Sequence, residues 1–349
     1  MMLPYVYDTD FERLDVIDDY VSFIWTERYY QPGDFEIVVP VLERFVDLLK
    51  PGRYIVREDR LEWGIVEKIS IEQIERIADS NSRMIVSGRF ASSIVGRRII
   101  PWLSQFTNLT PGQAIQGLLN NHIINPVNAE RTIADFLYTD LSGVITTFSQ
   151  QFTGKNLLDA IENITESRGI GFRCDRENGK WIFKTYSGTD RSTNQSVVPP
   201  VIFSIEYDNL DSLQYEADYQ NIHTAVRIGG EGQGSDRKMY WYDSGATGLE
   251  RYEYFKDARN TSTNDGEISE SDYREQLIAE ASEEITFIKE AVAGNVDFTN
   301  VVYRDDIFLG DICTVRWEQC GIEMHPRLIE VIESTDETGM HTYTPTFGE

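Results

Sequence analysis

The sequence predicts a mainly β protein with an α+β insertion, and three observations carry that expectation. Apolar and aromatic residues alternate with polar ones through most of the first hundred residues and again after residue 200. Between these stretches lie two amphipathic helix patterns and an Asn178-Gly179 hairpin signal. Breakers cluster where the character changes, near Trp102 and again at Pro199-Pro200. The divisions that follow are a first β-domain over 1–104, an α+β module and linker over 105–200, and a second β-domain over 201–349.

In the first domain, strand patterns run over 21–25, 35–39, 53–57, 62–71 and 84–88, with a short helix over 41–49 closed by Pro51-Gly52. Pro32-Gly33 fits the centre of a type II turn, with Gly33 at positive φ, in a loop longer than two residues or carrying a bulge. In the module, Thr110 caps a helix that has Pro111 in its first turn and continues through Ala114, Leu118 and Leu119. A second helix carries Leu157, Leu158, Ile161 and Ile164 on one face and stops at Gly169. Two strands around Asn178-Gly179 follow, then a polar linker over 187–200.

The second domain reads as strands at 201–207, 222–228, 237–242, 250–255, 296–303, 312–317, 323–333 and 341–346. One long helix over about 271–293, capped by Ser271, interrupts them with a stripe of Tyr273, Leu277, Ala281, Ile285, Ile288 and Val292. The two β-domains are of similar size, which hints at an internal duplication, although no short repeat is visible.

Composition narrows the function. Lys and Arg total 32 against 58 Asp and Glu, a formal charge of −26 spread along the chain. Such a surface repels phosphates, so nucleic-acid recognition is not expected. Three cysteines, Cys174, Cys313 and Cys320, make no disulfide framework and suit a reducing compartment. No signal peptide and no apolar run of roughly 18 residues is present, so neither secretion nor membrane insertion is expected.

Catalytic and ligand motifs find no positive support. His122, His223, His325 and His341 lack metal-ligand spacing, and no nucleophile elbow or papain-type cysteine occurs. The glycines of 229–234 match no phosphate-binding fingerprint and read as a loop between strands. Thr261-x-Thr263-x-Asp265-Gly266 has a calcium-loop outline but carries Thr where Asp is wanted, so a polar loop before a helix is the plainer reading. Arg89, Arg97 and Arg98 form a basic spot suited either to an acidic face of a neighbouring subunit or to pairing within the chain. The aromatics could form a sugar platform, though strand packing accounts for them more simply.

The segment Trp25-Thr26-Glu27-Arg28-Tyr29 followed by Pro32-Gly33-Asp34-Phe35-Glu36 resembles the opening of siphophage tail baseplate hub proteins. These are relatives of the myophage baseplate hub and of the N-terminal hub part of tail-associated lysins. The resemblance continues through Gly88, Arg89, Arg97 and Arg98, then Gly230-Glu231-Gly232, Arg237, Gly248-Leu249, Arg251, Glu253 and Asp257-Ala258-Arg259. It reaches Gly310-Asp311 and the ending Phe347-Gly348. Each motif is weak by itself; their order and spacing make the resemblance specific.

It implies a phage tail hub fold: two tail-tube-like β-barrel domains plus a small α+β module. The implied role is a homotrimeric structural ring in the virion, without cofactor or catalysis. That ring joins the tail tube and distal tail protein to the tail tip, near the tape measure and tail fibre, and serves host attachment and DNA ejection. DNA would pass through it without specific binding, and assembly would take place in the host bacterial cytoplasm. Tail-associated lysins carry further C-terminal regions, whereas this chain stops at Glu349, which favours a connector over a lytic enzyme. The alternatives are a baseplate cell-wall or polysaccharide hydrolase and a glycan-binding receptor module.

Overall fold

A computed structural model describes residues 2–72, 82–210, 214–218, 221–263, 266, 268–285, 289–293 and 301–348. Its largest element is a six-stranded antiparallel sheet built from both ends of the chain. The order across it is His341–Gly348, Arg327–Asp336, Ser22–Arg28, Asp34–Pro40, Arg83–Arg89 and Lys68–Glu72. The C-terminal hairpin therefore completes the N-terminal sheet, with Glu333 opposite Trp25 and Thr335 opposite Phe23.

Alternation decides which face of this sheet is buried. Phe23, Trp25, Phe35, Ile37, Val39, Met84 and Val86 point inward and meet Val6, Ile55 and Val66, with Phe45 beside them. Val6 and Ile55 belong to a four-stranded sheet that contains Pro4–Tyr7 and Tyr54–Arg57. Helix α1 (Glu43–Leu48) contributes Phe45. Among the described residues both sheets remain open, because neither pairs its first strand with its last. The expectation of β-barrels is corrected on this point: the N-terminal core is enclosed by two facing sheets, not by one closed sheet.

The middle of the chain folds around its own core. Helix α2 (Pro111–Leu119) starts with a complete capping box: Thr110 accepts from the Gln113 N–H while the Gln113 side chain accepts from the Thr110 N–H. Helix α3 (Leu157–Glu166) is capped by Asn156, and Gly169 follows at φ +65°. Both pack on a three-stranded sheet of Phe136–Leu141, Lys180–Tyr186 and Gly171–Glu177. Asn178 and Gly179 both have positive φ, as the tight hairpin between the last two strands requires.

Beyond the linker, Ile202–Ser204 runs parallel to Thr314–Trp317, and their core takes in Leu328, Val331 and Phe347 from the C-terminal hairpin. A separate sheet of Met239–Asp243, Ala225–Gly229 and Glu253–Asp257 packs against helix α4 (Glu270–Glu283). This helix is shorter than the sequence pattern suggested. Ser269, not Ser271, caps it, and Lys289–Ala293 forms a strand antiparallel to Gln214–Asp218. Tyr273, Leu277 and Ala281 are buried on the sheet as expected. The helical spacing of Val292 was overridden by strand pairing. Ile288, and most of the strand expected over 296–303, lie outside the described residues.

Candidate functional site

The residues that the sequence singled out divide between a packed core and a polar seam where the first sheet, the α+β module and the C-terminal unit meet. Trp25 and Phe35 belong to the core. Trp25 is fully buried, with its ring 4.3 Å from Phe90 and 6.3 Å from Phe35. Gly33 is not at positive φ, which corrects the type II turn. Its hydrogen faces the Thr26 carbonyl and the Phe90 ring, and a Cβ there would lie 2.2 Å and 2.4 Å from them. Pro32 contributes a carbonyl that accepts from Arg28, whose guanidinium also bridges Asp34 and Glu330 at 2.6 Å each. Gly88 is required for a similar reason, since a Cβ would lie 1.7 Å from the Ile65 carbonyl oxygen. Phe347 packs on Phe203, and Gly348 lies over Ile329.

The seam centres on Tyr29. Its ring is held between Gly171 and Gly310, at each of which a Cβ would come within 2.2 Å of the ring. Its hydroxyl donates to the Gly169 or Tyr186 carbonyl (3.0 and 3.2 Å) and accepts from the Gly188 N–H (3.1 Å). Its own N–H donates to Ile329, and its carbonyl accepts from Phe172. One side chain thus joins the first sheet, the module, the linker and the C-terminal hairpin. Asp311 locks the linker beside it, accepting from the Thr189 and Phe308 N–H groups and from Arg191 Nε at 2.9 Å.

Glu27 lies at the edge of the same seam. It accepts from the Tyr303 hydroxyl at 2.9 Å and from Arg304 at 3.2 Å, with Arg60 Nε at 3.6 Å. Next to it, Arg57 and Glu333 pair in a fork at 2.7 and 2.9 Å, both almost completely buried, and Arg60 reaches the same carboxylate. Burial would raise the Glu333 carboxyl, yet these two guanidinium groups hold it below its ordinary value. Glu62 is different. Burial, then the charges of Asp175 and Glu27, push its carboxyl up to about 8, while the Cys174 N–H and the Ser92 hydroxyl donate to it. A cavity of about 270 Å³ opens between Glu27, Glu62, Arg173, Tyr303 and Asp311.

Arg57, Arg60, Glu62 and Glu333 were not among the residues that the sequence singled out, and Tyr29 entered only as part of the opening motif. One local signal existed for Glu333, a carboxylate at an inward position between Val331 and Thr335. Its partners, more than 270 residues away, left none.

The basic spot divides. Arg89 grips Glu67 through Nε and one terminal nitrogen at 2.8 and 2.9 Å. Arg97 and Arg98 lie apart from the seam, on the loop leading into the module. Among the described residues no group of His, Cys, Asp and Glu could hold a metal ion, and no helix is long and apolar enough to cross a membrane. Asp265 of the calcium-like outline lies outside them. Thr261 instead donates to Glu280.

A tail protein from Neisseria meningitidis MC58 has the same fold at 13% identity and TM-score 0.59, over 100% of this chain and 97% of that one. The prophage tail protein gp18 from Listeria monocytogenes EGD-e matches at 13% and 0.59, over 100% and 94%. The 43 kDa tail protein of prophage MuSo2 from Shewanella oneidensis matches at 14% and 0.61, over 99% and 98%. At such identities the likeness establishes the fold. No curated protein matches the chain. The family model described as siphovirus ReqiPepy6 Gp37-like protein matches residues 3–349, so the chain belongs to this family of siphovirus tail proteins and has the fold of phage tail components.

Proposed function

We propose that the chain is the structural hub subunit of a siphovirus tail baseplate. In this reading it forms a homotrimeric ring that joins the tail tube and distal tail protein to the tail tip and continues the DNA channel. The observation that carries the proposal is the family match over residues 3–349, supported by a fold shared along nearly the full length of phage tail proteins. A connector under load needs its parts held as one body, and the contacts of the seam around Tyr29 support that reading. Its carboxylates and guanidinium groups engage one another or the backbone. The proposed role is accordingly mechanical, with no catalytic step.

The charge of −26 gains a use in such a ring. Carboxylates facing the channel would repel DNA phosphates and let the genome slide. A ring structure with carboxylates confined to the outer wall and a neutral or basic lumen would refute this use. The hub reading itself is tested by mixing the purified chain with the distal tail protein of the same particle and imaging the product by electron microscopy. Threefold rings stacked on the distal tail assembly are expected; failure to co-assemble under any condition that assembles the remaining tail tip refutes it.

A further inference from the structure

The loop 97–103 has a character opposite to the rest of the chain. Arg97 is exposed, and Arg98 and Arg131 are half-buried, yet among the described residues none of the three forms an ion pair. Arg98 donates through Nε to the Arg131 carbonyl at 2.9 Å and through a terminal nitrogen to the Arg97 carbonyl, and Arg131 donates to the Ile99 carbonyl. Lys155 lies over the Phe152 ring at 5.5 Å, and its charge acts on the Glu162 carboxylate. Glu67, the carboxylate within reach of the Arg97 charge, is already gripped by Arg89. Three arginines without an ion pair so close together are unexpected in a chain with 58 carboxylates and 32 Lys and Arg.

Between them stand Ile99, 54% exposed, and Trp102, 77% exposed, with Leu103 alongside. The loop is fixed in place. Ile100 donates to the Lys155 carbonyl and accepts from Gly154, both at 2.8 Å, and the Arg98 carbonyl accepts from Leu157 at the start of α3. A rigid platform loses little freedom on binding, and an exposed Trp framed by arginines has the composition of an interface hot spot.

We propose that this platform docks an acidic face of a second copy of the chain. The inference rests on the ring reading above and deepens it. In a cyclic trimer each contact is heterologous, so one face meets a different face of the next copy. A basic, aromatic face is then complementary to the surface that a chain of charge −26 presents elsewhere. A two-fold contact would instead bring the three arginines against their own copies.

The test measures self-association of the full chain by sedimentation velocity over a wide concentration range, at low and high salt. The wild-type protein is expected to form trimers that weaken as salt rises. Trp102→Ser and the double variant R97E/R98E should each weaken assembly by roughly 30-fold or more, while R97K/R98K keeps most of it. Unchanged melting by circular dichroism separates lost docking from lost folding, and the exposed Trp102 gives that control apart from the half-buried Arg98. Trimers that survive Trp102→Ser and R97E/R98E would overturn the platform and leave the ring reading standing. A wild-type chain that stays monomeric overturns self-docking, and co-assembly with the distal tail protein then decides the ring reading separately. Loss of DNA retention without loss of trimers, on R97E/R98E, would also overturn the proposal and reassign the loop to nucleic acid.

Discussion

Replacing Glu62 with Gln should stabilise the protein as pH rises, and the size of the effect follows from the carboxyl's surroundings. In the unfolded chain the group titrates near 4.5; in the folded protein burial and the charges of Asp175 and Glu27 move it to about 8. Between these values the folded state keeps a proton that the unfolded state has lost. Stability therefore falls by about 1.4 kcal/mol per pH unit across this window. The stabilising contribution is complete below pH 4.5 and gone once pH has passed 8. The accumulated loss is on the order of 3 kcal/mol at pH 7 and about 5 kcal/mol at pH 8. Gln at this position accepts from Ser92 and Cys174 through its amide oxygen, as the protonated acid does, and never ionises. Melting both proteins from pH 5 to 8 isolates the contribution from every other titrating group. The gap in Tm should widen in favour of the variant by roughly 4 °C by pH 7, given an unfolding entropy near 2 cal/mol/K per residue. A gap that stays constant over this range would show that Glu62 is already ionised in the folded protein and would refute the reasoning.

Removing one partner of the buried fork should cost far more than removing the pair. Glu333→Ala leaves Arg57 and Arg60 buried with only the exposed Asp59 and the more distant Glu27 as carboxylate partners and is expected to lose about 3 kcal/mol in urea unfolding, whereas Arg57→Met combined with Glu333→Leu loses less. Tyr29→Phe deletes a hydroxyl that serves three backbone groups and should cost about 1–3 kcal/mol by the same measurement. Gly310→Ala adds a Cβ against the Tyr29 ring at a residue with φ +95°, and a melting temperature equal to wild type would contradict the packing described. Gly33→Ala should lower soluble yield although φ is negative there, because the Thr26 carbonyl occupies the space.

Features fixed by neighbours in sequence were legible from the sequence. The Thr110 cap, the apolar stripe of α3 and the Asn178-Gly179 turn each depend on residues within a few positions, and each is present. Gly33 shows the boundary of such reasoning. Pro-Gly predicts a turn with positive φ, but the glycine is demanded by a carbonyl seven residues earlier and a ring at Phe90. The expected helix ran too far because Val292 fits its period, while pairing with Gln214–Asp218 places Lys289–Ala293 in a sheet. The barrels were implied by the family resemblance alone, since strand alternation reports which face is buried and carries no information about closure.

The seam was the least legible part, and its construction accounts for that. Buried charges are tolerated only when their partners arrive together, and here the partners come from opposite ends of the chain: Arg57 and Arg60 from the first sixty residues, Glu333 from the last hairpin. The same hairpin supplies two strands of the N-terminal sheet and meets Tyr29 through Ile329. A chain closed on itself in this way cannot release its C-terminal unit without breaking the Glu333 pairs of two buried guanidinium groups, which would keep only Asp59 and Glu27 from their own side of the seam. Force passing along a tail would then be carried by the whole subunit. That property suits a connector better than an enzyme whose domains must open and close around a substrate, and it links the least predictable residues of the chain to the role its family membership favours.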